Sequence, residues 1–185
     1  MGKRIALIGS GNAFFKDEGI GLYAAKYLKE NYEFTPNISI VDGGTLGFRL
    51  MPLLQEHDEV IIVNTASEEA TIAGVISVKS CDDFLEGSLI KKTANEVEIA
   101  EMLQICALSE HMADTTIISI VPEDIISVEV GLTDHLVAAW PKYIDTVLQV
   151  LGKCGVEARK KSKTMPLEEV LHTFSSPSIE HGRGF

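Results

Sequence analysis

The sequence predicts a three-layer α/β sandwich, a mostly parallel twisted sheet of about five strands with helices on both faces. Two observations carry this expectation. Short apolar runs alternate with stretches of helical periodicity along the chain. The run EVIIVN at residues 59–64 is apolar enough to be buried on both faces, as the strands of a parallel sheet are.

The elements follow in order. Residues 4–8 form a first strand, stopped by Gly9, Ser10, Gly11 and Asn12. From residue 19 onward, Ile20, Tyr23, Ala24, Tyr27 and Leu28 recur at helical spacing. Residues 38–41 form a second strand that ends at Asp42, Gly43 and Gly44, and residues 46–55 form a helix with a disturbance expected at Pro52. After strand three at 59–64, residues 74–78 form a fourth strand. Residues 96–108 form an amphipathic helix with Val97, Ile99, Ala100, Leu103 and Leu108 as core positions. A fifth strand at 115–121 is closed by Pro122, and a long helix covers 133–151 with a kink expected at Pro141. No internal repeat is visible. Residues 175–185 are rich in Ser, Pro and Gly and are expected to be flexible.

Composition narrows the function. At 185 residues, of which 45% are hydrophobic, the chain supports one ordinary domain with a real core. The net charge of −11 argues against a nucleic-acid partner, because phosphate binding requires a basic face. The positive excess lies in residues 158–185, which leaves the body more acidic than the whole. An acidic body stays soluble and favours a basic peptide partner. No apolar run approaches the roughly 18 residues of a membrane helix. The N-terminus runs from an apolar stretch straight into a turn and reads as a strand, not a signal peptide. Cys81, Cys106 and Cys154 are scattered and form no CxxC motif, which fits a reducing cytoplasm.

In such a sheet, ligands bind beyond the carboxyl ends of the strands. Polar turns fall there at 9–18, 42–45 and 64–69. Gly9-Ser10-Gly11 invites a dinucleotide reading, which fails because the third glycine would fall at Phe14. The phosphate-loop reading fails because no Gly-Lys-Ser/Thr follows. Asp17 and Glu18 precede a helix, where acids are often only favourable N-terminal charges. Here they end a long loop from strand one, followed by Gly19-Ile20-Gly21. In Asp42-Gly43-Gly44-Thr45 the plain reading is a tight turn with Thr45 as a helix N-cap. The functional reading is bare backbone that a substrate segment approaches closely.

Together, GSGNAFFKDEGIG and VDGGT resemble the signature of the nickel-iron hydrogenase maturation endopeptidases. The likeness continues through EVIIVN and IVPEDIISVEVGLT to LGKCGVE, and so covers about residues 3–157. It implies a family-like α/β domain at 1–157 and a C-terminal extension at 158–185. It implies removal of a C-terminal extension from a large-subunit precursor after nickel insertion, with that precursor as partner. Nickel is then recognised in the substrate, and no tightly bound metal is expected in the isolated protein.

By the same resemblance, the nickel-recognising positions are Glu18, Asn64 and Asn95, where the family has a carboxylate, an aspartate and a histidine. An amide oxygen is a poorer donor than a carboxylate and does not replace an imidazole nitrogen. The residues expected to meet the substrate are Asp17, Asp42, Gly43, Gly44 and Thr45. No catalytic nucleophile is assignable. Ser10 lacks a GxSxG context, no Cys-His pair is evident, and none of the five histidines stands at a replacement position. The two asparagines motivate an alternative, a non-catalytic factor that binds the precursor without cutting it. A small-molecule α/β enzyme rests on fold analogy alone.

Overall fold

The computed structural model describes residues 2–45, 47–67, 72–87 and 93–176. Its main sheet contains β1 (Ile5–Ser10), β3 (Ser39–Gly44), β4 (Glu59–Thr65), β5 (Ile76–Ser80) and β6 (Asp114–Ile120). The strand order is β3-β1-β4-β6-β5. Every pairing is parallel except that of β5 with β6. The chain leaves β1 towards β3 and later returns to β4 on the other side. The carboxyl end of β1 is therefore the crevice where strand order reverses.

The period of two along each strand sorts the core into two layers. Ile5, Leu7, Ile61, Val63, Ile118 and Ile120 join the layer that includes residues of α1 (Ile20–Asn31) and α5 (Asp134–Lys153). Ala6, Ile8, Val60, Ile62 and Ile117 join the layer that includes residues of α2 (Met51–Glu56), α3 (Cys81–Glu86) and α4 (Ala94–Cys106). Helix α1 lies very close to the sheet because two glycines meet there. A Cβ on Gly9 would stand 2.3 Å from the carbonyl oxygen of Gly21, and one on Gly21 would stand 2.3 Å from that of Val63.

Several expectations shift. The second helix is a 3-10 turn at Gly47–Leu50 followed by α2, and Pro52 sits in the first turn of α2, where its missing N–H costs nothing. The fourth strand begins at Ile76, after a turn in which Gly74 has φ 91°, and runs antiparallel to its neighbour. Helix α4 starts earlier than the periodicity placed it, because Thr93 and Glu96 form a reciprocal capping box. That phase leaves Val97 and Leu108 exposed and buries Met102 and Cys106 beside Ile99, Ala100 and Leu103. Helix α5 continues through Pro141.

A small second sheet pairs β2 (Tyr32–Thr35) with β7 (Glu157–Lys160), so a strand spans the boundary drawn at residue 157. Beyond it, α6 (Leu167–Ser175) lies on α1. Val170 is fully buried, and the rings of Phe174 and Tyr23 meet edge to face at 5.1 Å. The buried Asn31 side chain donates to the Met165 carbonyl (2.9 Å) and accepts from the Met165 N–H (2.7 Å). The flexibility expected for the terminal stretch falls, from residue 177 on, outside the described residues.

Candidate functional site

The loop after β1 is built to present two neighbouring acids in different directions. Gly11 has φ 147°, and a Cβ there would lie 2.0 Å from the Glu18 carbonyl oxygen. The same oxygen accepts the Asn12 N–H (3.2 Å), and the Gly11 N–H donates to the Gly44 carbonyl (3.0 Å). The loop is thereby closed on itself and tied to the end of β3. It ends in a 3-10 turn at Lys16–Gly19.

Asp17 points inward and is fully buried. One carboxylate oxygen accepts from the N–H groups of Glu123 (3.0 Å) and Asp124 (3.0 Å) and from the Thr133 hydroxyl (2.8 Å). The other accepts the Thr133 N–H at 2.7 Å. Both oxygens are thus engaged in holding the segment between β6 and α5. Asp17 does not face the cleft where a substrate contact was expected. The anchored segment also pairs with the β1 loop, since Lys16 N–H donates to the Glu129 carbonyl (2.8 Å) and Glu129 N–H to the Phe14 carbonyl (2.9 Å).

Glu18 is half-buried and lines a cleft of about 280 Å³ with Phe15, Thr45, Asn95, Glu98 and Ile125. Burial raises its carboxyl above the ordinary carboxylate range, and the negative charge of Glu96 raises it further.

The opposite wall is the first turn of α4, whose side chains reach three strand ends. Asn95 donates from Nδ2 to the Ser10 hydroxyl at the end of β1 (2.9 Å). Glu96, almost wholly buried, accepts the Ser67 N–H just past β4 (2.6 Å) and the Thr93 N–H (3.2 Å). Glu98 accepts the Gly47 N–H just past β3 (3.2 Å). The first turn of a helix offers main-chain N–H groups without intrahelical partners, and side chains that reach back to strand ends tie this turn to the sheet.

Asn64 lies at the end of β4, fully buried, on the same sheet face as Ser10. Its Oδ1 accepts from the Ser119 hydroxyl (2.6 Å), while its Nδ2 has no hydrogen-bond partner among the described residues. Its main-chain carbonyl accepts from the Tyr143 hydroxyl (3.2 Å). A buried donor without a partner is unusual and costly in a folded chain.

The turn after β3 divides its residues. Asp42 lies along a groove beside α1 that also touches Lys26 and Phe174, away from the Glu18 cleft, and its Oδ1 accepts the Gly44 N–H (3.0 Å). Gly43 packs beneath β1, where a Cβ would come within 2.9 Å of the Gly9 carbonyl oxygen. Gly44 has φ 52°. Thr45 reaches the cleft rim, but the following 3-10 turn starts at Gly47, so Thr45 is not its N-cap. Of the residues singled out from sequence, the structure brings Glu18, Thr45 and Asn95 together, sets Asn64 on the same face, and directs Asp17 and Asp42 elsewhere. Glu96 and Glu98 were not singled out from sequence, and Ser10, set aside there as a nucleophile, instead accepts the Asn95 amide. The Thr-x-x-Glu spacing of residues 93–96 is the one signal that marks Glu96 in the sequence.

Among the described residues, no three His, Cys, Asp or Glu side chains group to hold a metal ion, and no helix is long and apolar enough to cross a membrane.

The fold and cleft define a mainly parallel α/β sandwich with an acid-lined crevice at the point where strand order reverses. Residues 22–150 match the family model described as hydrogenase maturation protease, and the chain belongs to that family. It is 29% identical to the hydrogenase expression/formation protein HupD of Rhizobium leguminosarum bv. viciae over 98% of this chain and 87% of that protein. It is 26% identical to the hydrogenase 2 maturation protease of Escherichia coli K12, over 84% of this chain and 94% of that one. Among solved structures, the hydrogenase maturating endopeptidase HybD from E. coli superposes with a TM-score of 0.80 at 25% identity, covering 86% of this chain and 98% of that chain.

Proposed function

We propose that this chain removes the C-terminal extension of a nickel-iron hydrogenase large-subunit precursor after nickel insertion, and that the Glu18 cleft reads the nickel carried by that substrate. The observation that carries this reading is the convergence of Glu18 and Asn95 on one cleft at the carboxyl end of the sheet. Asn64 sits on the same face, its amide nitrogen without a partner among the described residues. Glu18 supplies the anionic oxygen, and the two asparagines supply neutral amides, a set suited to weak, transient contact with a divalent ion held mainly by the substrate. Thr45, with the backbone of Gly44 before it, forms the rim past which the tail of the substrate lies. The protease names of the relatives support cleavage over a purely binding role. Asn64 and Asn95 then set how tightly the nickel is read, not whether the chain belongs to this chemistry.

The test is the mass of the large subunit in cells lacking this chain, complemented with wild type or Glu18→Gln. Uncut precursor is expected without the chain and with Glu18→Gln, and trimmed subunit with wild type. Normal trimming in the absence of the chain would overturn the proposal. Gln keeps the size of Glu18 and its backbone contacts, so a loss reports on charge at the cleft.

A further inference from the structure

We infer that Phe14, Ile126 and Val128 form an apolar ridge that docks the folded body of the large-subunit precursor, beside the cleft that takes its tail. The inference rests on the processing reading proposed above and adds to it the surface that holds the precursor.

The ridge is exposed without being loose. Phe14, Ile126 and Val128 are 66%, 84% and 78% exposed, although each is large and apolar. One such side chain on a surface is ordinary, but three on adjoining backbone beside a cleft mark an interaction surface. The two segments that carry them are joined. The Glu129 N–H donates to the Phe14 carbonyl (2.9 Å), and the Lys16 N–H donates to the Glu129 carbonyl (2.8 Å). Each segment is also held locally. Asn12 Oδ1 accepts the Phe14 N–H (3.0 Å), and Asp124 Oδ1 accepts the Ile126 N–H (2.9 Å). The buried Asp17 carboxylate anchors the second segment at residues 123 and 124. A surface already ordered loses little freedom when a partner covers it, which favours binding.

The position of the ridge selects the partner. Phe15 and Ile125, the chain neighbours of Phe14 and Ile126, line the Glu18 cleft. A body seated on the ridge is therefore continuous with a tail lying in that cleft. Side chains exposed to this degree stand proud of the surface, whereas an extended peptide is gripped in a groove or along a strand edge. The ridge suits a folded partner with a shallow apolar recess. The Lys16–Glu129 ion pair (3.0 Å) lies beside it and supplies the polar rim usual around such a centre.

The experiment measures affinity for full-length nickel-loaded precursor, and the kinetics of its cleavage, with the full-length protein. The forms compared are wild type, Phe14→Ser, Ile126→Ser with Val128→Ser, and Ile126→Leu with Val128→Ile. Polar replacements at such exposed positions leave the core untouched, so unchanged melting temperatures are expected. Both serine forms are expected to weaken precursor binding about ten-fold or more and to raise KM in step, with kcat within about two-fold because the cleft is intact. The apolar double variant is expected to bind like wild type.

Serine forms that bind the precursor like wild type overturn the inference. If they instead dissociate a dimer of this chain and leave precursor affinity unchanged, the ridge pairs two copies and the inference falls. Should one serine form fail to fold, the other, on a separate segment, carries the same test. Ridge-dependent binding by a wild type that leaves the precursor uncut would sink the proposed processing and keep the ridge. No binding of precursor by wild type would overturn both.

Discussion

The two faces of the sheet divide labour. On the α1, α5 and α6 face, large apolar side chains meet with little polar material between them, and Tyr23, Tyr143, Leu28 and Val170 are fully buried. On the α4 face, the apolar layer stops short of the carboxyl ends of the strands. Ser10, Asn64, Asn95 and Glu96 take over there, buried and polar. The first face contributes stability by area removed from water. The second spends some of that stability on polar groups held in fixed positions, which is the usual condition of a functional site. The same division appears within one 3-10 turn, where Asp17 is saturated by hydrogen bonds and Glu18 is left to the cleft.

Five changes break or sharpen this contrast. The largest effect is expected from ending the chain after Ala158. This removes Val170, Leu171 and Phe174 from α1, cuts the β2–β7 ladder and strands the buried Asn31 amide. Burial of each large apolar side chain is worth about 1.5–3 kcal/mol, so a loss of more than about 4 kcal/mol is expected, measured by urea unfolding. Intact stability would show that the extension is an accessory to the first face.

Asp17→Asn comes next. An amide places an NH₂ against N–H groups that now donate to a carboxylate, and the expected loss is about 2–4 kcal/mol in the same assay. Glu18→Gln should change stability by less than about 1 kcal/mol, since Glu18 is half-buried and, among the described residues, its side chain has no comparable set of donors. Equal losses at the two positions would erase the distinction between them.

Asn64→Asp with Asn95→His turns the second face into a three-ligand site with Glu18. The Ser119 hydroxyl already donates to position 64 and suits a carboxylate there. Nickel should stabilise this double variant by about 2.7 kcal/mol at a hundred times its dissociation constant, by mass action on the folded state. Wild type should shift far less, as read from melting temperature with and without nickel. Equal shifts would mean that positions 18, 64 and 95 do not converge on one ion.

The smallest effect concerns the loop that Asp17 anchors. Asp124 accepts from the N–H groups of Ile126 and Ser127 and from the Ser127 hydroxyl, which lowers its carboxyl to about 2 from 3.8. A depressed value contributes stability above 3.8 that is lost as pH falls through about 2. Asp124→Asn should remove that dependence, visible as a flatter acid titration of stability below pH 4.

The sheet was legible in the sequence because a buried parallel strand leaves an unbroken apolar run, and residues 60–63 show one. Glu18 was legible because glycine, loop length and paired acids recur together in a known pattern. The fates of Asp17 and Asp42 were not legible, because both depend on partners brought close only by the fold: Thr133 for one and the α1 groove for the other. The phase of α4 was missed for a local reason. Val97 and Leu108 fit an apolar periodicity, but the Thr93–Glu96 box starts the helix two residues earlier and turns a different stripe inward. The small β2–β7 sheet was missed because four-residue strands carry too little alternation to stand out.

The first turn of α4 has one more consequence. Glu96 accepts the Ser67 N–H and Glu98 the Gly47 N–H, so those two protons exchange with solvent when that helix end lifts from the strand ends. Two amide signals, from separate segments of the chain, thus form a native clock for the opening of the cleft. It can be read in deuterium without a probe attached or a residue replaced.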